Sequence, residues 1–210
     1  MDADAVEIRV LGCLIEKQRT TPDAYPLSLN SLRLACNQAT NRDPVVAYEE
    51  REIKAALDRM SNRGWTRFAS GASSRALKYR HLLDEALQLS RPELSLLGVL
   101  MLRGAQTVGE LKQRSDRLHR FESIAEVAET LDALAQRELV ERLGRRPGQK
   151  AERWRQLLGA DSSEEPLQLE PQQPRARGDD QVAAIEERLG RLERAFDDLL
   201  SRLDKVPDRE

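Results

Sequence analysis

Cysteine and histidine are scarce in this chain of 210 residues, with two of each. Cys13 and Cys36 cannot build a disulfide framework. Both sit in apolar helical patterns, which predicts buried, reduced thiols. His81 and His119 are far apart, so no metal-ligand spacing exists and neither a metal nor a cofactor is expected. Aromatics make up only 4%, so the core must rest on Leu, Ile, Val and Ala. The longest apolar run, residues 94–102, is too short to span a bilayer and reads as part of an amphipathic pattern. Acidic Asp2, Asp4 and Glu7 do not suit a signal peptide, and a cytoplasmic protein away from membranes is expected.

Charge, by contrast, is plentiful. Charged residues make up 33% and the net charge is −2, unevenly spread. Residues 1–83 carry +3, residues 84–158 carry +1, and residues 159–210 carry −6. Two mildly basic units with an acidic tail permit nucleic-acid contact without demanding it.

The chain repeats itself. Glu7-Ile-Arg-Val-Leu-Gly-Cys-Leu returns as Glu93-Leu-Ser-Leu-Leu-Gly-Val-Leu. Ile53-x3-Leu57-Asp58-x-Met60 returns as Val127-x3-Leu131-Asp132-x-Leu134. Each repeat closes on an aromatic followed by a Leu pair, at Tyr79 and at Trp154. Such self-similarity is a signal of fold before it is one of activity.

Helix starts are marked by capping boxes, in which a side-chain oxygen and a carboxylate three residues on satisfy orphan backbone donors. Ser90/Glu93, Thr107/Glu110 and Ser123/Glu126 predict helices at about 91–102, 108–115 and 124–137. Strand patterns at 139–143 and 151–155 flank the basic turn Gly144-Arg-Arg-Pro-Gly148. In the first repeat, Asp4/Glu7 opens a helix at about 4–17, Ser28 one to about 38, and a third runs about 49–63 with Gly64 closing it. Strands at 65–69 and 76–80 follow. Helix, helix, helix, strand, turn, strand is the order of a winged helix-turn-helix. The expected fold is mainly α with small β wings: two tandem winged-helix domains, 1–83 and 84–158.

Residues 159–180 are too polar to bury a core and read as a disordered linker. Over 181–206, Val182, Ile185, Leu189, Leu192, Phe196, Leu199, Leu203 and Val206 alternate spacings of three and four. This a/d pattern predicts a coiled-coil helix and self-association, most simply as a homodimer.

Several ordered motifs carry a family resemblance. Leu14-Ile-Glu-Lys-Gln18, Thr20-Thr-Pro22, Tyr25-Pro-Leu-Ser28, Ala35-Cys-Asn-Gln38, Thr40-Asn-Arg-Asp-Pro-Val45 and Leu102-Arg-Gly-Ala-Gln-Thr107 resemble the bacterial YceH-like family over about residues 6–158. Val108 departs from it where Pro is expected. The resemblance implies two tandem winged-helix domains. The family is described as of unknown function, so the resemblance implies no chemistry.

Function must then be sought on surfaces. A helical wheel turns Ile53, Ala56, Leu57 and Met60 inward and Arg51, Ala55, Asp58, Arg59 and Asn62 outward. The equivalent helix at 124–137 shows Ala125, Glu129, Asp132 and Gln136, an acidic face adverse to phosphates and better suited to a protein partner. The wings are more basic: Arg75, Lys78 and Arg80 in the first, and Arg145, Arg146, Lys150, Arg153 and Arg155 in the second. With Arg51 and Arg59, these are the expected contacts to double-stranded DNA, of a kind that positions without reading bases. A third basic stretch runs Lys112-Gln-Arg-Ser-Asp-Arg-Leu-His-Arg120. Glu16, Cys36, Arg42 and Asp43 assemble no nucleophile–base–orienter set, so no enzyme is expected.

Overall fold

The computed structural model describes residues 3–69, 77–144 and 151–159. They lie in the first of two compact units, Met1–Pro166; the second, Leu167–Glu210, falls outside the described residues. So do the linker from residue 160 on, every heptad position from Val182 to Val206, and Arg75, Arg145, Arg146 and Lys150.

Helix α1 spans Ala5–Thr20. Its expected capping box forms: Asp4 Oδ1 accepts from the Glu7 N–H, and Glu7 Oε2 accepts from the Asp4 N–H, both at 2.8 Å. The helix runs past its predicted end near residue 17. The Thr20 and Thr21 hydroxyls donate back to the carbonyls of Glu16 and Lys17, and the Thr21 N–H also donates to the Lys17 carbonyl, so the last turn is doubly tied. After a 3-10 turn at Pro22–Ala24 come strand β1, Leu27–Ser28, and helix α2, Leu29–Cys36. Helix α3 spans Glu50–Asn62 and ends before Gly64, whose φ of 73° favours glycine. Strands β2, Thr66–Ala69, and β3, Lys78–His81, form a hairpin, and β1 joins its β3 edge.

A short helix not expected from the sequence, α4 at Leu83–Leu87, leads to the second repeat. Helices α5 (Arg91–Arg103), α6 (Val108–Ser115) and α7 (Ile124–Gln136) match the expected spans closely. One cap differs. Ser123 receives the Glu126 N–H, but the Glu126 carboxylate accepts from the Glu122 N–H instead of closing the box. Strands β4 (Val140–Leu143) and β5 (Arg153–Gln156) pair antiparallel. A bridge between Gln106 and Trp154 stands where β1 meets Tyr79 in the first repeat.

The repeats do not keep separate cores. One cluster of buried apolar side chains runs from Ala3 to Leu158, and the change of repeat near residues 84–91 leaves no break in it. At its centre α1 meets α5. Residues 7–15 and 94–102 are buried without interruption, so α5 is not the amphipathic helix its sequence suggested. A helix buried on every side belongs in the middle of a core. Glycine permits the close approach. A Cβ on Gly12 would stand 2.8 Å from Leu102 Cγ, and one on Gly98 would stand 2.9 Å from Ile15 Cγ2. Gly12 also faces Met101, so stepping up α1 to Ile15 means stepping down α5 to Gly98, and the helices run antiparallel here. The two glycines are the matched positions of the sequence repeat.

Candidate functional site

Alternation along the first hairpin sorts its side chains onto two faces. Thr66, Tyr79 and His81 are buried, while Arg67 faces solvent. Arg67 pairs with Arg80 across the ladder, and Lys78 lies two pairs further, opposite Ala69. The outer face thus carries Arg67, Lys78 and Arg80 together. Arg80 is held by Glu85 at 2.5 Å, whereas Arg67 and Lys78 have no acidic partner among the described residues. Like charges directly opposite on a sheet repel. Lys78 and Arg80 were expected here; Arg67 was not. Its signal was in the chain, because a strand at 65–69 opposite one at 76–80 places residue 67 on the Arg80 face.

The other expected cations are more committed. On α3 the predicted inward and outward sets hold: Ile53, Ala56, Leu57 and Met60 are buried, and Arg51, Ala55, Asp58, Arg59 and Asn62 are exposed. Yet Arg51 lies 3.3 Å from Glu49, and Arg59 bonds both Asp4 and the buried Glu7. On α7 the outward residues Ala125, Glu129, Asp132 and Gln136 are all exposed, as expected. In the second hairpin Arg153 and Arg155 share one face, with Trp154 on the other, but Arg155 is bonded to Glu141.

A cleft of about 760 Å³ opens where the two repeats meet. Its walls are the end of α1 (Glu16, Lys17, Thr20), Thr21, the segment after α2 (Gln38, Thr40, Asn41), α5 with Val99, Leu102 and Arg103, and α6 and its turn with Gln113, Arg114, Arg117 and Leu118. Most of this lining comes from motifs that carried the family resemblance and from the basic stretch 112–120. Beside the cleft, Arg42 is fully buried and grips Glu16 with both nitrogens, at 3.2 Å and 2.5 Å. Arg42 also donates to Gln38 Oε1 and to the carbonyls of Ala35 and Asn41. The motif 40–45 is therefore pinned by its own arginine, while Asp43 N–H donates to the Leu102 carbonyl and ties it to α5.

The cleft is rich in cations. Lys17, Arg103, Arg114 and Arg117 line it against one carboxylate, Glu16, already taken by Arg42. Arg103 donates to Asn41 Oδ1 and Arg114 to Gln106 Oε1, both neutral acceptors, and Glu110 approaches Arg114 only to 3.4 Å. Partial burial, then the nearby charges of Arg114 and Arg42, hold the Arg103 guanidinium below its ordinary range. Sequence alone could not assemble this set, because it depends on which faces of the two repeats meet.

Behind Arg42 lie the two thiols, free and buried as expected. They are far apart in sequence but close enough in the fold to influence each other's ionisation. Burial opposes ionisation of Cys13, yet the neighbouring Cys36 thiol and the Arg42 charge hold it below the usual thiol range. Cys36 is pushed well up by its Cys13 neighbour and by burial. Nearby Arg9 is also buried. Its Nη2 donates to the Pro44 carbonyl at 2.6 Å, while its Nη1 has no partner. No group of acidic, His or Cys side chains among the described residues has the geometry to hold a metal. No helix among them is long and apolar enough to cross a membrane.

Comparison with known proteins adds a family. The model described as "Protein of unknown function, DUF480" matches residues 3–149. A UPF0502 protein of Shewanella amazonensis is 43% identical over 203 residues, which is 94% of this chain and 97% of the relative. A UPF0502 protein of Geobacter metallireducens is 46% identical over 193 residues, 90% of this chain and 86% of its own length. The UPF0502 protein YceH of Salmonella agona is 43% identical over 209 residues, covering 95% and 96%.

Proposed function

This chain belongs to the DUF480 family, and for it we propose a non-enzymatic, regulator-like role in which two tandem winged-helix repeats touch duplex DNA weakly and without sequence choice. One observation carries the reading: Arg67 and Arg80 face each other across the first hairpin with Lys78 on the same side. Arg67 and Lys78, without an acidic partner among the described residues, crowd beside the Glu85-held Arg80 and gain from a polyanion that neutralises them, and a phosphate backbone is such a partner. The third helices do not add to it. On α3 the basic residues are paired, and α7 turns Glu129 and Asp132 outward. Arg153 of the second hairpin adds one further cation, and Arg75, Arg145, Arg146 and Lys150 join these only as sequence expectations. Heptads over 181–206 would make the protein at least dimeric and double the contact sites, which raises avidity.

Two findings support a role without catalysis. Both thiols are buried, and among the described residues the one carboxylate lining the cleft is committed to Arg42. A second reading, a protein partner at α7, is favoured by Ile124, which is 58% exposed beside the acidic outward face.

The test is a salt titration of random duplex binding. Wild type should bind in the range of about 10⁻⁴–10⁻⁶ M and weaken steeply with salt. Replacing Arg67 and Lys78 by Gln should lower affinity uniformly across sequences and reduce the salt slope by about one per cation. Absence of binding at low salt, or equal binding by the variant, would move the assignment to protein docking.

A further inference from the structure

We propose that the cleft between the repeats is a binding site for a small organic phosphate bearing several negative charges, of the sugar-phosphate type. Duplex contact at the hairpin is a separate matter, because none of the residues named for it lines this cleft.

Charge comes first. Four cations, Lys17, Arg103, Arg114 and Arg117, converge on one cavity from three helices or their ends. The single lining carboxylate is neutralised by a buried guanidinium. Among the described residues, Lys17 and Arg117 have no acidic partner, Arg103 has only a neutral amide, and Arg114 has Glu110 at 3.4 Å. Bringing cations together with so little compensating charge costs free energy that a bound anion returns. Arginine favours phosphate in particular, since its planar fork can meet two oxygens at once.

Size and polarity narrow the class. A volume of about 760 Å³ suits a metabolite, not a single inorganic ion. Thr20, Thr21, Thr40, Gln38, Asn41 and Gln113 offer hydroxyls and amides, the groups that recognise a polyol. Val99, Leu102 and Leu118 supply a modest apolar floor. None of the lining residues among those described is aromatic, so they offer no platform on which a nucleobase would stack.

The site is also built, not incidental. Arg42 fixes Glu16, Gln38 and the Asn41 carbonyl in one network from beneath, and Asn41 in turn holds Arg103. Asn41 takes a left-handed φ of 60° to do so, a conformation Asn tolerates better than most residues. Because one wall belongs to each repeat, a ligand here would tie the two together. It would bind the folded state alone and so stabilise it.

The full-length protein is titrated calorimetrically at low salt with fructose 1,6-bisphosphate, inorganic pyrophosphate and citrate. One bisphosphate per protomer is expected, bound more tightly than citrate. The pair Lys17→Gln and Arg117→Gln, half-buried and exposed respectively and neither in an ion pair among the described residues, should weaken it by about tenfold or more. Arg103→Gln should weaken it likewise, with folding checked by circular dichroism. The hairpin variant Arg67→Gln, Lys78→Gln should bind as wild type does. No heat with any of the three probes would overturn the proposal. So would citrate binding more tightly than the bisphosphate, unchanged affinity in the Lys17/Arg117 variant, or affinity lost in the hairpin variant instead.

Discussion

Arg42 and Glu16 form an ion pair in which the guanidinium is wholly buried while the carboxylate keeps 15% exposure, with Arg42 Nη2 2.5 Å from Glu16 Oε2. Burial works against the arginine's charge, but the Glu16 hydrogen bond and the Cys13 and Glu16 charges more than offset it, and the group is held above its ordinary range. The pair also anchors the segment after α2 to α1, since Arg42 reaches Gln38 and two backbone carbonyls as well.

Removing one partner leaves the other uncompensated. Glu16→Ala should therefore cost about 3–5 kcal/mol in urea unfolding, because Arg42 stays buried without its carboxylate. The double variant Glu16→Ala, Arg42→Met should recover part of that loss. Additive losses would mean that the two groups act independently.

Gly12 and Gly98 should tolerate no methyl group. Alanine normally gains about 1 kcal/mol over glycine inside a helix. Here a Cβ would meet Leu102 at 2.8 Å or Ile15 at 2.9 Å, in a region buried on all sides. Overpacking of this kind costs about 1–3 kcal/mol, so the steric cost should outweigh the propensity gain. Gly109, also helical, has open space where a Cβ would stand, with nothing within 4 Å of it, and Gly109→Ala should stabilise by up to about 1 kcal/mol. Opposite signs for Gly12→Ala and Gly109→Ala in thermal unfolding are the expected result; equal signs would deny the close approach of α1 and α5.

Those glycines also mark how far the sequence could be read. The capping residues Asp4, Ser28, Ser90 and Thr107 placed four helix starts, because a cap acts within one turn of its own chain. The inward set on α3 followed from period alone. What period could not show was that Leu96, Leu100 and their neighbours on the opposite side of α5 would all be buried, since that depends on α1 lying against it. Strand β1, two residues long, is too short for alternation to register. The cleft stayed hidden for the same reason as the α1–α5 contact. Lys17 and Arg117 are a hundred residues apart and meet only because the repeats share a core.

Self-association should depend on the tail. The heptad positions Val182 to Val206 lie outside the described residues, and the expectation rests on their spacing alone. An isolated helix with an exposed apolar stripe is marginal in water, so pairing of that stripe is what would stabilise it. Light scattering of the full chain should report at least a dimer, and a chain ending at residue 159 should report a monomer. An unchanged protomer number would place the interface elsewhere.

Stability should fall as pH drops from neutrality toward 4, with His81 as one cause. Its ring is 1% exposed, with Nε2 2.9 Å from Gln18 Oε1, which tethers β3 to α1. Burial lowers its pKa to about 4; Asp84 opposes that shift, and Arg80 and Arg19 reinforce it. An unfolded histidine titrates near 6.5, so above that pH neither state is protonated and the neutral ring's contribution is fully present. Between about 6.5 and 4 the unfolded chain takes up a proton that the folded protein refuses, and this favours unfolding. The loss approaches a ceiling of about 3 kcal/mol as the pH reaches the folded value. Carboxylates titrate in the lower part of this range too, but they are common to wild type and to His81→Gln. Urea midpoints at pH 7 and pH 4.5 should therefore differ more in wild type than in the variant, and an equal difference would remove His81 from the account.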